Sequence, residues 1–282
     1  MEKKSVVVKL IGGFGNQLFQ ISFANYLRNK YQFEVKLDTS HYLRQQELNS
    51  KVSIRELIFP PSFYGFEQVS KKQHMLINSF NNVKTKNYFP IRFHPVKPIN
   101  DPNQVSKSKL KLFLFSGYWQ NIKYIESNKK FLLDCFKKNE IVLNTNSKKG
   151  STLLHIRRTD YLNINENLNS SFYKNAIEYC KNNVENFNYE IFTDDKEWVL
   201  ENNLFKEAIK VNYSKDTRID TINTFKDMFR FENYIVGNST FSLIPAILNK
   251  TSENISLIAS PWFRNSVKNL NFDNTWIKID NE

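Results

Sequence analysis

The clearest hydrophobic pattern lies at the N-terminus. Val6 to Ile11 reads as a buried strand, and Gly12-Gly13-Phe14-Gly15-Asn16-Gln17 as a glycine-rich turn. Gln17 to Tyr31 follows with helical spacing, placing Phe19, Phe23, Tyr26 and Leu27 on one face. Glu34 to Leu37 reads as a second strand ending at Asp38, which makes a βαβ opening. From about residue 39 to 110 the pattern is irregular, with prolines at 60, 61, 90, 95, 98 and 102, and predicts loops and short elements. Leu110 to Phe115 returns as a strand leading to Gly117-Tyr118-Trp119-Gln120, and Lys123 to Lys138 as a helix.

Asn144 to Gly150 is polar and turn-rich, the expected linker. A second βα series follows it. Strands are predicted at Leu153–Ile156, Tyr189–Phe192, Ile209–Asn212, Tyr234–Val236 and Ile255–Ile258. Helices are predicted around Phe172–Cys180, at Glu197–Asn202 and at Thr221–Glu232. The fold class is therefore α/β, with two Rossmann-like domains facing a cleft: residues 1–145, carrying the irregular insertion, and 146–282.

Composition agrees with a globular protein: 40% of the 282 residues are hydrophobic, with 24 Phe and 13 Tyr, and only 7 Gly and 8 Pro. Cys135 and Cys180 both fall among apolar neighbours and read as buried thiols of a reducing compartment. The first apolar run is too short for a signal peptide, and no stretch approaches a membrane span, so a cytoplasmic setting is expected. The net charge of +12 is concentrated: nine Lys/Arg between Lys71 and Lys111 face Asp101 alone. Such a segment suits an anionic partner, whether nucleic acid, a phospholipid surface or a phosphorylated substrate.

The candidate chemistry sits where the predicted strands end. His155-Ile156-Arg157-Arg158-Thr159-Asp160-Tyr161 places two adjacent arginines at the C-terminal edge of a strand, where open α/β sheets bind ligands. Two guanidinium groups can neutralise a diphosphate, and Asp160 can hold one of them in place; a salt-bridged strand end is the plainer alternative. Asp194 and Asp195 follow another strand. They read better as a cap, Asp194 with Glu197, plus a carboxylate for a base or ribose than as a metal chelate. In Gly237-Asn238-Ser239-Thr240-Phe241-Ser242, Pro245 decides the expected geometry: Ser242 as N-cap leaves the proline in the first turn, and Asn238 to Phe241 form an extended phosphate-facing loop. Gly13 and Gly15 allow close approach of a ligand, and Asn16 and Gln17 add neutral donors and acceptors.

These blocks together resemble the α-1,2-fucosyltransferases, glycosyltransferase family 11. Gly12 to Gln20, Gly117 to Gln120, His155 to Tyr161, Phe192 to Trp198 and Gly237 to Ser242 match in family order; residues about 39 to 110 match nothing in it. The chain departs from the family after Phe241-Ser242, where Leu243-Ile244-Pro245 replace a frequent tryptophan pair.

The resemblance implies a GT-B fold, GDP-L-fucose as donor substrate, no cofactor and no required metal. It implies β-phosphate binding by Arg157, with Arg158 and His155 beside it, and nucleotide contacts from Ser239, Thr240 and Phe241. It places Asn16 and Gln17 facing the donor sugar across the cleft, with Arg157, Asp160 and Asn16 as the catalytic candidates. The expected reaction is inverting transfer of L-fucose to the 2-hydroxyl of a galactose-type acceptor, such as a lipid-linked saccharide of O-antigen assembly at the inner membrane face. No single general base stands out; Asp38 and Asp160 are candidates. Transfer from another GDP-6-deoxy sugar, such as GDP-colitose, is the nearest rival, and a basic nucleic-acid-binding protein the rival from another class.

The charge pattern carries its own prediction. Neutralising Lys107, Lys109 and Lys111 together should weaken sedimentation with anionic vesicles, by about 1 kcal/mol per lysine near the surface. GDP affinity, followed by calorimetry, should stay within about twofold of wild type, because the arginines remain. A large loss of GDP affinity with unchanged vesicle binding would place this segment at the nucleotide instead.

Overall fold

The computed structural model describes residues 5–47, 55–70, 91–93, 112–215, 217–264 and 270–281. Most of the basic 71–111 segment lies outside these. The chain forms two compact units, Met1–Asn139 and Glu140–Glu282. Each is a Rossmann-like α/β unit built on a parallel sheet, the architecture of GT-B type.

In the first unit, β1 (Ser5–Lys9), α1 (Phe14–Tyr31) and β2 (Glu34–Asp38) form the βαβ opening. They are followed by α2 (Ser40–Glu47), a 3₁₀ turn at Pro61–Tyr64, β3 (Glu67–Gln68), β4 (Ile91–Phe93) and β5 (Leu112–Ser116). The strand order is β3-β2-β1-β5-β4. Val6 to Val8 are fully buried at the centre, as a strand covered on both faces must be. Among the described residues, the insertion thus holds a helix, a 3₁₀ turn and two short strands that its sequence pattern did not reveal.

α1 begins three residues earlier than its apolar spacing suggested, so Asn16 and Gln17 belong to its first turn. It is buried almost all round, including Gln20 and Asn25, which need internal partners there. Gln20 exchanges hydrogen bonds with the Ile11 backbone and donates to Gly117 O at 3.0 Å. Asn25 donates to Asn128 Oδ1, and Asn128 donates to Ser22 O and Tyr124 O. Asn128 also divides the expected 123–138 helix into α3 (Ile122–Ser127) and α4 (Lys129–Lys138).

The second unit runs β6 (Ser151–Ile156), α5 (Thr159–Asn163), α6 (Ser170–Asn183), β7 (Asn188–Thr193), α7 (Lys196–Glu201) and β8 (Lys210–Tyr213). It continues through α8 (Arg218–Asp227), β9 (Asn233–Gly237), α9 (Thr240–Leu248), β10 (Ser256–Ser260) and β11 (Ile277–Asp280). The strand order is β11-β10-β9-β6-β7-β8, all parallel.

Chain order runs outward from β6 on one side and resumes at β9 on the other. The C-terminal ends of β6 and β9 therefore frame a topological switch point, where ligands of such sheets bind. The corresponding point of the first unit lies between β1 and β5. β6 is buried at every position; Leu154 and Ile156 pack with Phe172, Ala176 and Cys180 of α6. Both cysteines are buried free thiols.

Gly150 immediately precedes β6 at φ +76°, and an added Cβ would lie 2.3 Å from Asn186 O. Gly65 has a similar φ of +68° but open space around it. Gly65→Ala should cost about 1 kcal/mol from backbone strain alone. Gly150→Ala adds a clash with backbone and should cost at least twice as much, roughly 2–4 kcal/mol in urea unfolding. Equal costs would contradict this local geometry.

Candidate active site

Arg157 and Arg158 leave β6 at the switch point, and neither extends freely into solvent. Arg157 Nε donates to Asp160 Oδ1 at 2.7 Å, and its Nη1 lies 3.0 Å from Asp194 Oδ2. Arg158 Nε donates to Asp195 Oδ2 at 3.1 Å, and its guanidinium lies 3.9 Å from the Trp198 ring centre. Their side chains are only 16% and 13% exposed, so bare charge there would be costly and the pairing follows from burial. Counted formally, two cations meet three carboxylates. A diphosphate would have to compete with Asp160 and Asp194 for the face of Arg157.

Asp194 and Asp195 divide their roles differently from the sequence-based expectation. The cap of α7 is Asp195, whose Oδ1 accepts from Trp198 N, not Asp194. Asp194 instead accepts from Arg158 N at 2.8 Å and from the Thr159 hydroxyl, and so ties the start of α5 to the end of β7. Both carboxylates serve the arginine pair. Among the described residues, no group of three or more His, Cys, Asp or Glu could hold a metal ion.

The β9 side also differs from expectation. α9 starts at Thr240 with Ser239 as its N-cap, and Pro245 lies in the helix interior. The interior proline costs about 3 kcal/mol. Burial of Leu243, Ile244, Ile247 and Leu248 outweighs it, since each such side chain contributes about 1.5–3 kcal/mol. Ser242 cannot serve as the cap because its Oγ is buried 2.9 Å from His155 Nδ1 and also meets Val236 O and Ser239 O.

Asn238 is likewise consumed: its Nδ2 donates to Glu166 O, while Tyr161 donates to Asn238 O. Asn238, Ser239 and Ser242 thus build the wall. Thr240 and Phe241 remain half-buried beside it, at a helix N-terminus that favours anions. Trp198, Tyr161 and Glu166 were absent from the residues chosen by sequence, although the first two lie within the quoted motifs. Arg264 N donates to Glu166 Oε2, fixing the loop after β10 against the loop that follows α5.

The first unit presents its own switch point. Gly12, not Gly13 or Gly15, takes the left-handed conformation, at φ +78°; Gly13 caps α1 at an ordinary φ of −75°, and Gly15 is buried inside its first turn. Gln17 is 2% exposed and is fully engaged: it donates to Gly12 O and Glu56 O and accepts from Ile58 N. It is a structural clamp here, whereas Asn16 accepts from Gln120 Nε2 at 2.8 Å. Asp38 is buried, and its Oδ1 accepts from Ser40 N. Trp119 adopts φ +52°, a conformation that costs a bulky residue about 1–3 kcal/mol. Its ring stacks on Phe23 at 4.1 Å.

With this geometry in view, similarity to known proteins is informative. The family model described as "Glycosyl transferase family 11" matches residues 65–280. The chain belongs to this family. It is 27% identical to an Escherichia coli α-1,2-colitosyltransferase, covering 98% of this chain and 99% of that one. The E. coli O-antigen biosynthesis glycosyltransferase WbnK is 26% identical over 96% of this chain and 99% of its own. Among solved structures, a variant of Arabidopsis thaliana FUT1 in complex with GDP has the same fold, with a TM-score of 0.50 and 10% identity, over 91% of this chain and 70% of that one. In this family 11 chain no helix among the described residues is long and apolar enough to cross a membrane.

Burial, followed by the adjacent Arg157 guanidinium, pushes the His155 imidazole down from its ordinary 6.5 to about 4. A neutral buried His155 contributes stability that is complete above about pH 6.5. As pH falls through that value toward 4, the unfolded chain gains a proton that the folded chain refuses. Wild type should therefore lose about 1.4 kcal/mol per pH unit in this window relative to His155→Gln, measured by urea unfolding. Parallel pH profiles for the two proteins would show that His155 titrates normally.

Proposed function

We propose that this chain is an inverting glycosyltransferase. It moves L-fucose from GDP-L-fucose to the 2-hydroxyl of a galactose-type acceptor in bacterial O-antigen or other surface-glycan assembly. The observation that carries the reading is the arginine pair at the switch point of a family 11 chain, in the same unit as the half-buried start of α9. Support for the linkage and setting comes from the end-to-end similarity to an α-1,2-colitosyltransferase and an O-antigen glycosyltransferase. The same similarity favours a second reading, in which the donor is GDP-colitose.

On this reading the second unit binds the donor and the first serves the acceptor. The diphosphate takes the Arg157 edge now shared by Asp160 and Asp194, with the N–H groups at the start of α9 adding donors. As the sugar–phosphate bond breaks, the anomeric carbon gains oxocarbenium character and the leaving GDP gains charge. Arg157 stabilises that charge from a fixed position, so little reorganisation is needed during the reaction. Arg158, stacked on Trp198 and tied to Asp195, holds the adjacent backbone. No metal is assigned a role, because Asp194 and Asp195 are engaged with the arginines rather than with each other.

The decisive assay supplies a galactoside acceptor with GDP-fucose or GDP-colitose, with and without excess chelator, and determines the linkage formed. Transfer to O2 that resists chelation is expected; chelator loss restored by manganese would contradict the carboxylate assignment, and transfer of neither sugar would overturn the reading. Arg157→Ala should lower kcat by about 10²–10³, equivalent to roughly 2.7–4 kcal/mol, with the fold retained. Arg157→Lys should recover little, since lysine lacks the planar fork. Near-normal turnover in either variant would remove Arg157 from the mechanism.

A further inference from the structure

Besides the buried clamp Gln17, which donates to Gly12 O, four side chains of the first unit converge on this glycine. An added Cβ on Gly12 would lie 2.9 Å from Asn16 Nδ2 and 3.0 Å from Tyr118 Cε1, while the Tyr42 hydroxyl donates to Gly12 O at 3.0 Å. Gln120 joins them through its bond to Asn16 Oδ1. Tyr118 is 48% exposed although its chain neighbour Trp119 is buried. The left-handed turn at Trp119 produces the contrast, for it drives the indole inward onto Phe23 and leaves the Tyr118 ring outside. Strain stored at a bulky residue points to a site more often than to plain packing. An isolated exposed tyrosine needs no explanation. This one stands between the ends of β1 and β5, at the switch point where an open sheet binds its ligand.

We propose that Tyr118, Asn16 and Gln120 form a subsite for the acceptor sugar ring, a galactose-type pyranose. The chemistry matches such a ring. Its apolar face of C–H groups packs on an aromatic plane, which offers area at low entropic cost. Its edge carries hydroxyls, each both donor and acceptor, and a side-chain amide supplies both functions within one planar group. The Asn16–Gln120 bond orients the two amides beside the phenol ring. Gly12 is glycine because any side chain there would displace Asn16 or Tyr118 and block the approach. The contacting groups carry no charge, which suits a neutral sugar rather than a phosphate. The subsite deepens the proposed function and rests on it.

The test is saturation-transfer NMR with methyl β-galactoside on the intact chain in the presence of GDP. The wild type should bind the sugar, with Tyr118→Ala weakening it at least about tenfold and Tyr118→Phe recovering most of the loss. Tyr213→Ala, an equally exposed tyrosine on β8, serves as the control and should bind as the wild type does. In turnover, Tyr118→Ala should raise the acceptor KM with the KM for the GDP-sugar held. Galactoside binding that is equal in wild type and Tyr118→Ala would overturn the subsite while leaving the proposed function standing. A wild type that binds no galactoside would overturn both.

Discussion

The second unit is organised around one constraint: two arginines leave a buried strand side by side and must be paired there. A guanidinium stays charged at any accessible pH, so the fold has to supply counter-charge where β6 ends. It does so from the neighbouring strand. Asp194 and Asp195 terminate β7, the strand hydrogen-bonded to β6, and their carboxylates reach Arg157 and Arg158. The same two aspartates start both adjoining helices, Asp194 by receiving Arg158 N and the Thr159 hydroxyl, Asp195 by capping α7. Through that cap Trp198 comes to lie on Arg158. Charge pairing, helix entry and the shape of the switch point are therefore a single arrangement. It also creates a readiness for exchange, since a diphosphate could take the place of Asp160 and Asp194 at Arg157 with no cation left unpaired.

The central strands and the β8 edge were legible in the sequence, and the edges β3 and β11 were not. Val6 to Val8 is an uninterrupted apolar run and Leu153 to Ile156 is broken only by the buried His155, the mark of parallel strands covered on both faces. β3 is two residues, both exposed, and β11 is four residues with one half-buried and one buried isoleucine alternating with exposed positions, so neither is long enough to stand out. Pro245 misled in the other direction. Its local cost is real, but the apolar residues around it gain more by packing as a helix on β9 than the proline loses. Residue types at the site were readable, while the division of labour was not. Asp194 and Asp195 are equivalent in sequence, and the start of α7 at Lys196 makes Asp195 the cap. Gln17 and Asn16 are adjacent amides, yet one is locked against residues 56–58 and the other faces Gln120.

Both units repeat one layout, a glycine in the left-handed conformation at or just after a strand next to the switch point. Gly12 follows β1, and Gly237, at φ +67°, ends β9. What surrounds each glycine differs in chemistry. At the switch point of the second unit lie arginines, carboxylates, a neutral buried histidine and a helix start, a set suited to a charged leaving group. Around Gly12 lie three amides and two phenols, a neutral polar set suited to a polyol. On the proposed reading the first kind of surface serves a nucleotide-linked donor and the second a hydroxyl acceptor.

The central claim, that the nucleotide diphosphate meets Arg157 at the switch point between β6 and β9, is tested most directly by NMR titration with GDP, using backbone amide and arginine Nε–H resonances. The largest shifts should fall on Arg157 Nε–H and the Thr240 and Phe241 amides, with Asp160 released from Arg157 as GDP binds. Shifts centred on Gly12 to Asn16, with Arg157 Nε–H unmoved, would contradict it.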